Sequence, residues 1–136
     1  MQKIITKNFI KNIIFTAFLS VIANVILLMV VKPIAMTPGS FSPFQYSTVV
    51  ELTILGVLAA GIVYLLLRKF FISKYKKIFI WVSVVALILS FIPDILMPYS
   101  PDADNQGATL FVVLMLILMH ILTAAIVVSM FTKKMQ

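Results

Sequence analysis

A run of 24 residues, Ala108 to Phe131, carries no formal charge. As a helix rising ~1.5 Å per residue it reaches roughly 36 Å, enough to cross the ~30 Å hydrocarbon core of a bilayer with some tilt. A water-soluble fold has no use for such a segment, and three more apolar spans precede it, at about 13–31, 49–67 and 78–97. Hydrophobic residues make up 62% of the 136-residue chain and charged ones 11%. Ordinary globular domains run nearer ~45–50% apolar and ~25% charged, so lipid has to be the solvent for most of this surface. Four spans with short connections use up the length and leave no room for a separate soluble domain. The expected fold is all-α: a polytopic membrane protein, a bundle of four transmembrane helices forming a single domain over 1–136.

Charge sets the expected orientation. The N-terminal tail (Lys3, Lys7, Lys11), the loop from Arg68 to Lys77, and Lys133 and Lys134 hold ten of the 11 basic residues and no acid. Lys32 and the four carboxylates, Glu51, Asp94, Asp102 and Asp104, fall in the other two connections or at the head of the second span. The positive-inside rule therefore places both termini in the cytoplasm. A basic segment before an apolar one also resembles a secretory signal. The first run has 19 residues and no A-x-A site follows it; a signal core spans only about 7–15, so a retained span is expected. The net charge of +7, with Phe70, Phe71 and Tyr75 among the lysines, invites a nucleic-acid reading. Between two spans such a segment is read as a topology signal lying against anionic lipid, and no nucleic-acid partner is expected. Ten lysines against one arginine, with much isoleucine, point to an AT-rich bacterial genome and so to a bacterial cytoplasmic membrane.

Prolines punctuate the acidic connections. Pro33, Pro38 and Pro43 forbid a regular helix between the first two spans, and Phe41, Phe44 and Tyr46 suit the headgroup level. Pro93 either ends or kinks the third span. Asp94 then belongs to the aqueous loop, or else pairs with Lys32, the only outer cation.

The chain has no cysteine, which removes disulfides, thiol redox chemistry and thiolate metal sites. One histidine and four carboxylates make a metal cage within one chain unexpected. No nucleophile–base pair, phosphate-binding glycine loop or carboxylate pair can be assembled, so neither catalysis nor a cofactor is expected. Haem ligation at the single histidine would need an external ligand, a single axial ligand or a second subunit's histidine.

Polar residues inside the spans are the remaining candidates. Counted from the span ends at ~1.5 Å per residue, Ser20, Ser83 and His120 share a layer near the midplane and Asn24 lies nearer the outer surface. The second span offers Ala59, Ala60 and Gly61 at that level, small side chains that leave either close helix contact or a cavity. Thr16, Ser20 and Asn24 recur every four residues; Ser83, Ala86, Ser90 and Asp94 share one helical face; His120, Thr123 and Ala124 share another. Such faces also serve plain packing, as do the small-xxx-small pairs Gly56–Ala60 and Ala125–Ser129. A neutral imidazole has one donor and one acceptor to satisfy, and for His120 the expected partners are Ser20 and Ser83. Glu51, in Thr48-Val49-Val50-Glu51, fits the T-x-x-E capping box; its alternative is an ion or proton site near the outer surface. The tentative ligand-binding set is His120, Ser20, Asn24, Ser83 and Glu51.

The fourth span, with Met119-His120 followed by Ala124-Ala125 after a third span ending in LSFIPDI, resembles an uncharacterised family of bacterial four-span membrane proteins that carries a domain-of-unknown-function label. The resemblance is specific from Leu118 to Ala125 and implies a compact four-helix membrane protein with no known activity. Two readings of function follow. The leading one is a small non-enzymatic membrane protein acting through helix packing with itself or with another membrane protein. The alternative is a binding or transport protein for a small hydrophobic or cationic ligand, with a polar mid-membrane site around His120. A polar layer packed shut favours the first, and a cavity there favours the second.

Overall fold

A computed structural model of the chain describes the backbone of residues 2–134 and the side chains of residues 7–103 and 105–133. Met1 and Gln136, whose cytoplasmic placement the charge pattern predicts, lie outside the described residues, as do the side chains of Lys3, Asp104 and Lys134. Four helices carry the fold: α1 (Gln2–Ala35), α2 (Tyr46–Phe70), α3 (Tyr75–Leu96) and α4 (Leu110–Lys134). Short 3-10 turns, Ser42–Phe44, Met97–Tyr99 and Ala103–Asn105, fill the two longer connections. All four helices are long and apolar enough to cross a membrane. Their outward faces, with Phe18 and Leu55, Ile62 and Ile88 among them, are exposed as lipid-facing side chains must be.

α1 packs against α2 and α4, and α3 against α4 and α2. The two ends of the assembly differ. At the basic end, which holds the α2–α3 connection, the start of α1 and the end of α4, the Tyr64 ring is the hub of an aromatic core. Phe79 lies 5.2 Å from it edge-on, Phe131 5.5 Å, Tyr75 5.6 Å and Phe9 6.2 Å, so all four helices contribute a ring. Edge-to-face pairs of this kind add about 0.5–1.5 kcal/mol each beyond area burial. Gly61 sits beside this core because a Cβ there would lie 2.7 Å from the Ile13 side chain of α1.

At the acidic end a second core joins Leu28 and Val31 of α1, Val49 of α2 and Val112, Leu116 and Met119 of α4 around Phe41 and Phe44. The two phenylalanines are 1% exposed and packed edge-on at 5.3 Å. The 3-10 turn folds them back over the helix ends. Tyr46 does stay at the surface, with the Lys32 ammonium 5.0 Å from its ring centre. Gly107, at φ +103°, lies against Pro38, whose Cδ would be 2.6 Å from a Cβ, so the two acidic connections touch at a position that admits only glycine.

The expectation for Pro33 is corrected, and of the two alternatives for Pro93 the helix stop is the one that falls away. α1 runs through Pro33 to Ala35, and α3 runs through Pro93 to Leu96. Each proline forfeits one intrahelical hydrogen bond near a helix end, where the loss is tolerated. The consequence for α3 is large, because Asp94 becomes a helical residue rather than a loop residue.

Candidate functional site

Helix α3 is held at its two ends. Only Phe79 and Asp94 of its 22 residues are buried, the first in the basic-end core and the second near the acidic end. Between these points a cleft of about 900 Å³ separates α3 from α2, with α4 and Asn24 of α1 behind it. Small side chains make the room: Gly56 and Ala60 on α2, Ala86 on α3 and Ala124 on α4 line it. A Cβ on Gly56 would meet nothing within 4 Å. The Gly56–Ala60 pair therefore does not seat a neighbouring helix; it shapes a cavity. Ser42, Pro43, Asp102 and Asn105 line it at the acidic end.

Two polar clusters line this space. Deeper in, the Asn24 amide donates from Nδ2 to Thr53 Oγ1 at 3.0 Å and to Thr123 Oγ1 at 2.7 Å, tying α1, α2 and α4 together. Its Oδ1 is buried and has no hydrogen-bond partner. Nearer the acidic end, His120 Nδ1 lies 2.8 Å from the Leu116 carbonyl and 3.2 Å from Asp94 Oδ2. One ring nitrogen carries one hydrogen, and the short contact directs it at the carbonyl. Asp94 Oδ2 then meets the histidine by proximity, without a directed hydrogen bond of its own. The Asp94 side chain is 7% exposed and that of His120 40%, so the histidine opens to the cleft and the carboxylate sits in its wall.

Among the expected site residues, His120, Ser83 and Asn24 do share one cleft. Ser20 does not line it: the residue is fully buried in the helix packing, and its Oγ has no partner there. The pairing of His120 with Ser20 and Ser83 gives way to Leu116 and Asp94, because an i−4 carbonyl is within reach on the same helix and the continuous α3 delivers a carboxylate. Asp94 accordingly meets His120 rather than Lys32. Glu51 lies on the exposed face of α2, away from the cleft. The capping box is absent: α2 begins at Tyr46 with Gln45 as N-cap, no side chain caps it, and Thr48 is already inside the helix. The 3-10 turn feeds straight into α2, which starts three residues before the motif requires.

Thr53 and Asp94 were not among the expected site residues. Both carried a signal. Thr53, Gly56 and Ala60 repeat at i, i+3, i+7, and Ser83, Ala86, Ser90 and Asp94 form the matching stripe on α3; all seven line the cleft. Ser90 satisfies itself by donating to the Leu87 carbonyl at 2.7 Å.

Residues 5–136 match the sequence profile described as a family of unknown function, DUF6069. The chain belongs to that family. The resemblance noted around Met119-His120 thus extends over nearly the whole chain, and DUF6069 membership agrees with the multi-pass membrane character of the four helices. No curated protein and no solved structure is significantly similar to the chain. The DUF6069 description assigns no activity, so a functional reading rests on the cleft. Among the described residues no group of three or more His, Asp or Glu side chains is placed to hold a metal ion.

Proposed function

We propose that the protein is a non-enzymatic binding protein of the bacterial cytoplasmic membrane, a four-helix bundle that holds a small amphiphilic molecule in the cleft between α2 and α3. The carrying observation is the cleft itself. Its volume of about 900 Å³ falls within the roughly 300–1,000 Å³ of small-molecule sites, and its mostly apolar wall with a few convergent polar groups has their character. A polar layer meant only for packing would be shut. With both termini cytoplasmic, as the basic residues suggest, the acidic end of the cleft faces the outer side, and the Tyr64 aromatic core fills the other end. Capture from the outer surface or the outer leaflet suits this arrangement better than a continuous channel.

Association with a second membrane chain keeps one observation in its favour. Ala125 and Ser129 form a small-xxx-small pair on the exposed face of α4, where another helix can approach closely. That face lies apart from the cleft, and the two roles do not compete.

Native mass spectrometry of the protein released from mild detergent tests the binding reading. The wild type is expected to retain a co-purified lipid or other amphiphile. Gly56→Leu, which fills open space in the cleft, is expected to lose it while keeping its thermal stability. Identical bound masses in the two proteins contradict a cleft site.

A further inference from the structure

The charge of the cleft lining runs against that of the protein. The chain has 11 lysines and arginines and only four carboxylates, yet among the described residues the cleft is lined by Asp94 and Asp102 and by no lysine or arginine. The two carboxylates follow one another inward. Asp102 is at the acidic end, exposed and joined to the Ser100 hydroxyl at 3.0 Å. Asp94 is in the wall, 95% buried, with Oδ2 lacking a directed hydrogen bond. Deeper still, Asn24 is 97% buried; its two amide hydrogens are committed to Thr53 and Thr123, and Oδ1 is left over. Asn24 Oδ1 is a buried acceptor with no partner, and Asp94 Oδ2 is a second acceptor whose one contact, the His120 ring at 3.2 Å, is not a directed hydrogen bond. Buried acceptors without partners are costly, and they are satisfied by a ligand that brings donors.

We infer that the cleft's ligand carries a hydrogen-bond-donating cationic head, an ammonium or guanidinium on an apolar tail, with Asp94 as its counter-charge. This rests on the cleft-binding reading above and narrows it. His120 supports the site by occupying one side of Asp94 without filling it: its ring hydrogen is spent on the Leu116 carbonyl, so the carboxylate keeps capacity for an N–H from the ligand. Asp102 at the acidic end favours approach of a cation. An anionic head would meet two carboxylates and no cation in the lining, and an alcohol would leave the charge of Asp94 unmatched.

The test uses three probes of equal chain length, decylamine, decanol and decanoate. Binding to the full chain is measured in phosphatidylcholine nanodiscs, with binding to protein-free nanodiscs subtracted. A charge-assisted hydrogen bond contributes about 1.5–3 kcal/mol, so decylamine should bind at least about tenfold more tightly than decanol, with decanoate weakest. Asp94→Asn should bring decylamine down to the level of decanol and leave decanol unchanged; Asp94→Glu should keep the preference. The wild-type ranking alone decides the matter if the asparagine variant does not fold. Equal binding of decylamine and decanol, both abolished by Gly56→Leu, overturns the cationic assignment and leaves the cleft site standing. No protein-dependent binding of any probe, or binding that Gly56→Leu does not alter, overturns the cleft reading and this inference with it. Replacing the lipid by phosphatidylethanolamine, whose head is itself a primary ammonium, separates the sources. Loss of decylamine binding there assigns the site to a membrane lipid, and retained binding assigns it to a free amine.

Discussion

At the residue scale, the His120 ring stands 3.2 Å from Asp94 Oδ2 and tempers the burial of the carboxylate without donating to it. Removing the imidazole leaves the carboxylate against hydrocarbon, and removing both leaves an apolar wall. His120→Leu strands the buried carboxylate. A fully enclosed pair would then lose about 3–5 kcal/mol, but the 40% exposure of the histidine side chain lets solvent or headgroups reach it, and the expected loss is about 2 kcal/mol. The double variant His120→Leu/Asp94→Leu should recover to within about 1 kcal/mol of wild type, a coupling that a double-mutant cycle by thermal unfolding in one detergent reads directly. Losses that simply add would show that the two side chains do not interact. His120 was legible in the sequence because it is alone and mid-span. Asp94 was legible in part: the stripe Ser83, Ala86, Ser90 and Asp94 put it on a helical face while Pro93 before it favoured a loop position, and the continuous α3 decides for the helix.

At the element scale, helix type and number follow from the apolar runs, but helix ends do not. α1 begins at Gln2 and absorbs the basic tail, so that its 34 residues reach roughly 50 Å, well past the hydrocarbon core. α2 starts before the capping box suggested by Thr48 and Glu51, because the 3-10 turn Ser42–Phe44 leads into it at Tyr46. Stripes of small and polar residues were visible on every span. Whether a stripe packs or lines a cleft depends on how far the neighbouring helix stands off, and in α3 only Phe79 and Asp94 are buried. The connections at the acidic end set that spacing, which gives Gly107 a structural task. A side chain there faces both a positive φ and the Pro38 ring. Gly107→Ala should cost about 1–2 kcal/mol from the backbone conformation alone, seen as a lowered melting temperature. An unchanged melting temperature would mean that Gly107 does not hold a positive φ against Pro38.

At the scale of the whole molecule, an aromatic core fills the basic end and the cleft extends to the connections of the acidic end. That polarity matters only if the acidic end faces outward, as the distribution of lysines predicts. The native chain has no cysteine, so single cysteines can be placed at will and labelled on intact cells with an impermeant maleimide. Ser40 and Ser73 are exposed in the connections at opposite ends, and Ser90 is half-buried in the cleft wall. An outward-open cleft predicts labelling of Ser40→Cys and Ser90→Cys, protection of Ser73→Cys, and loss of the Ser90→Cys signal when Gly56→Leu is added. Labelling of Ser73→Cys with Ser40→Cys and Ser90→Cys both silent would contradict it.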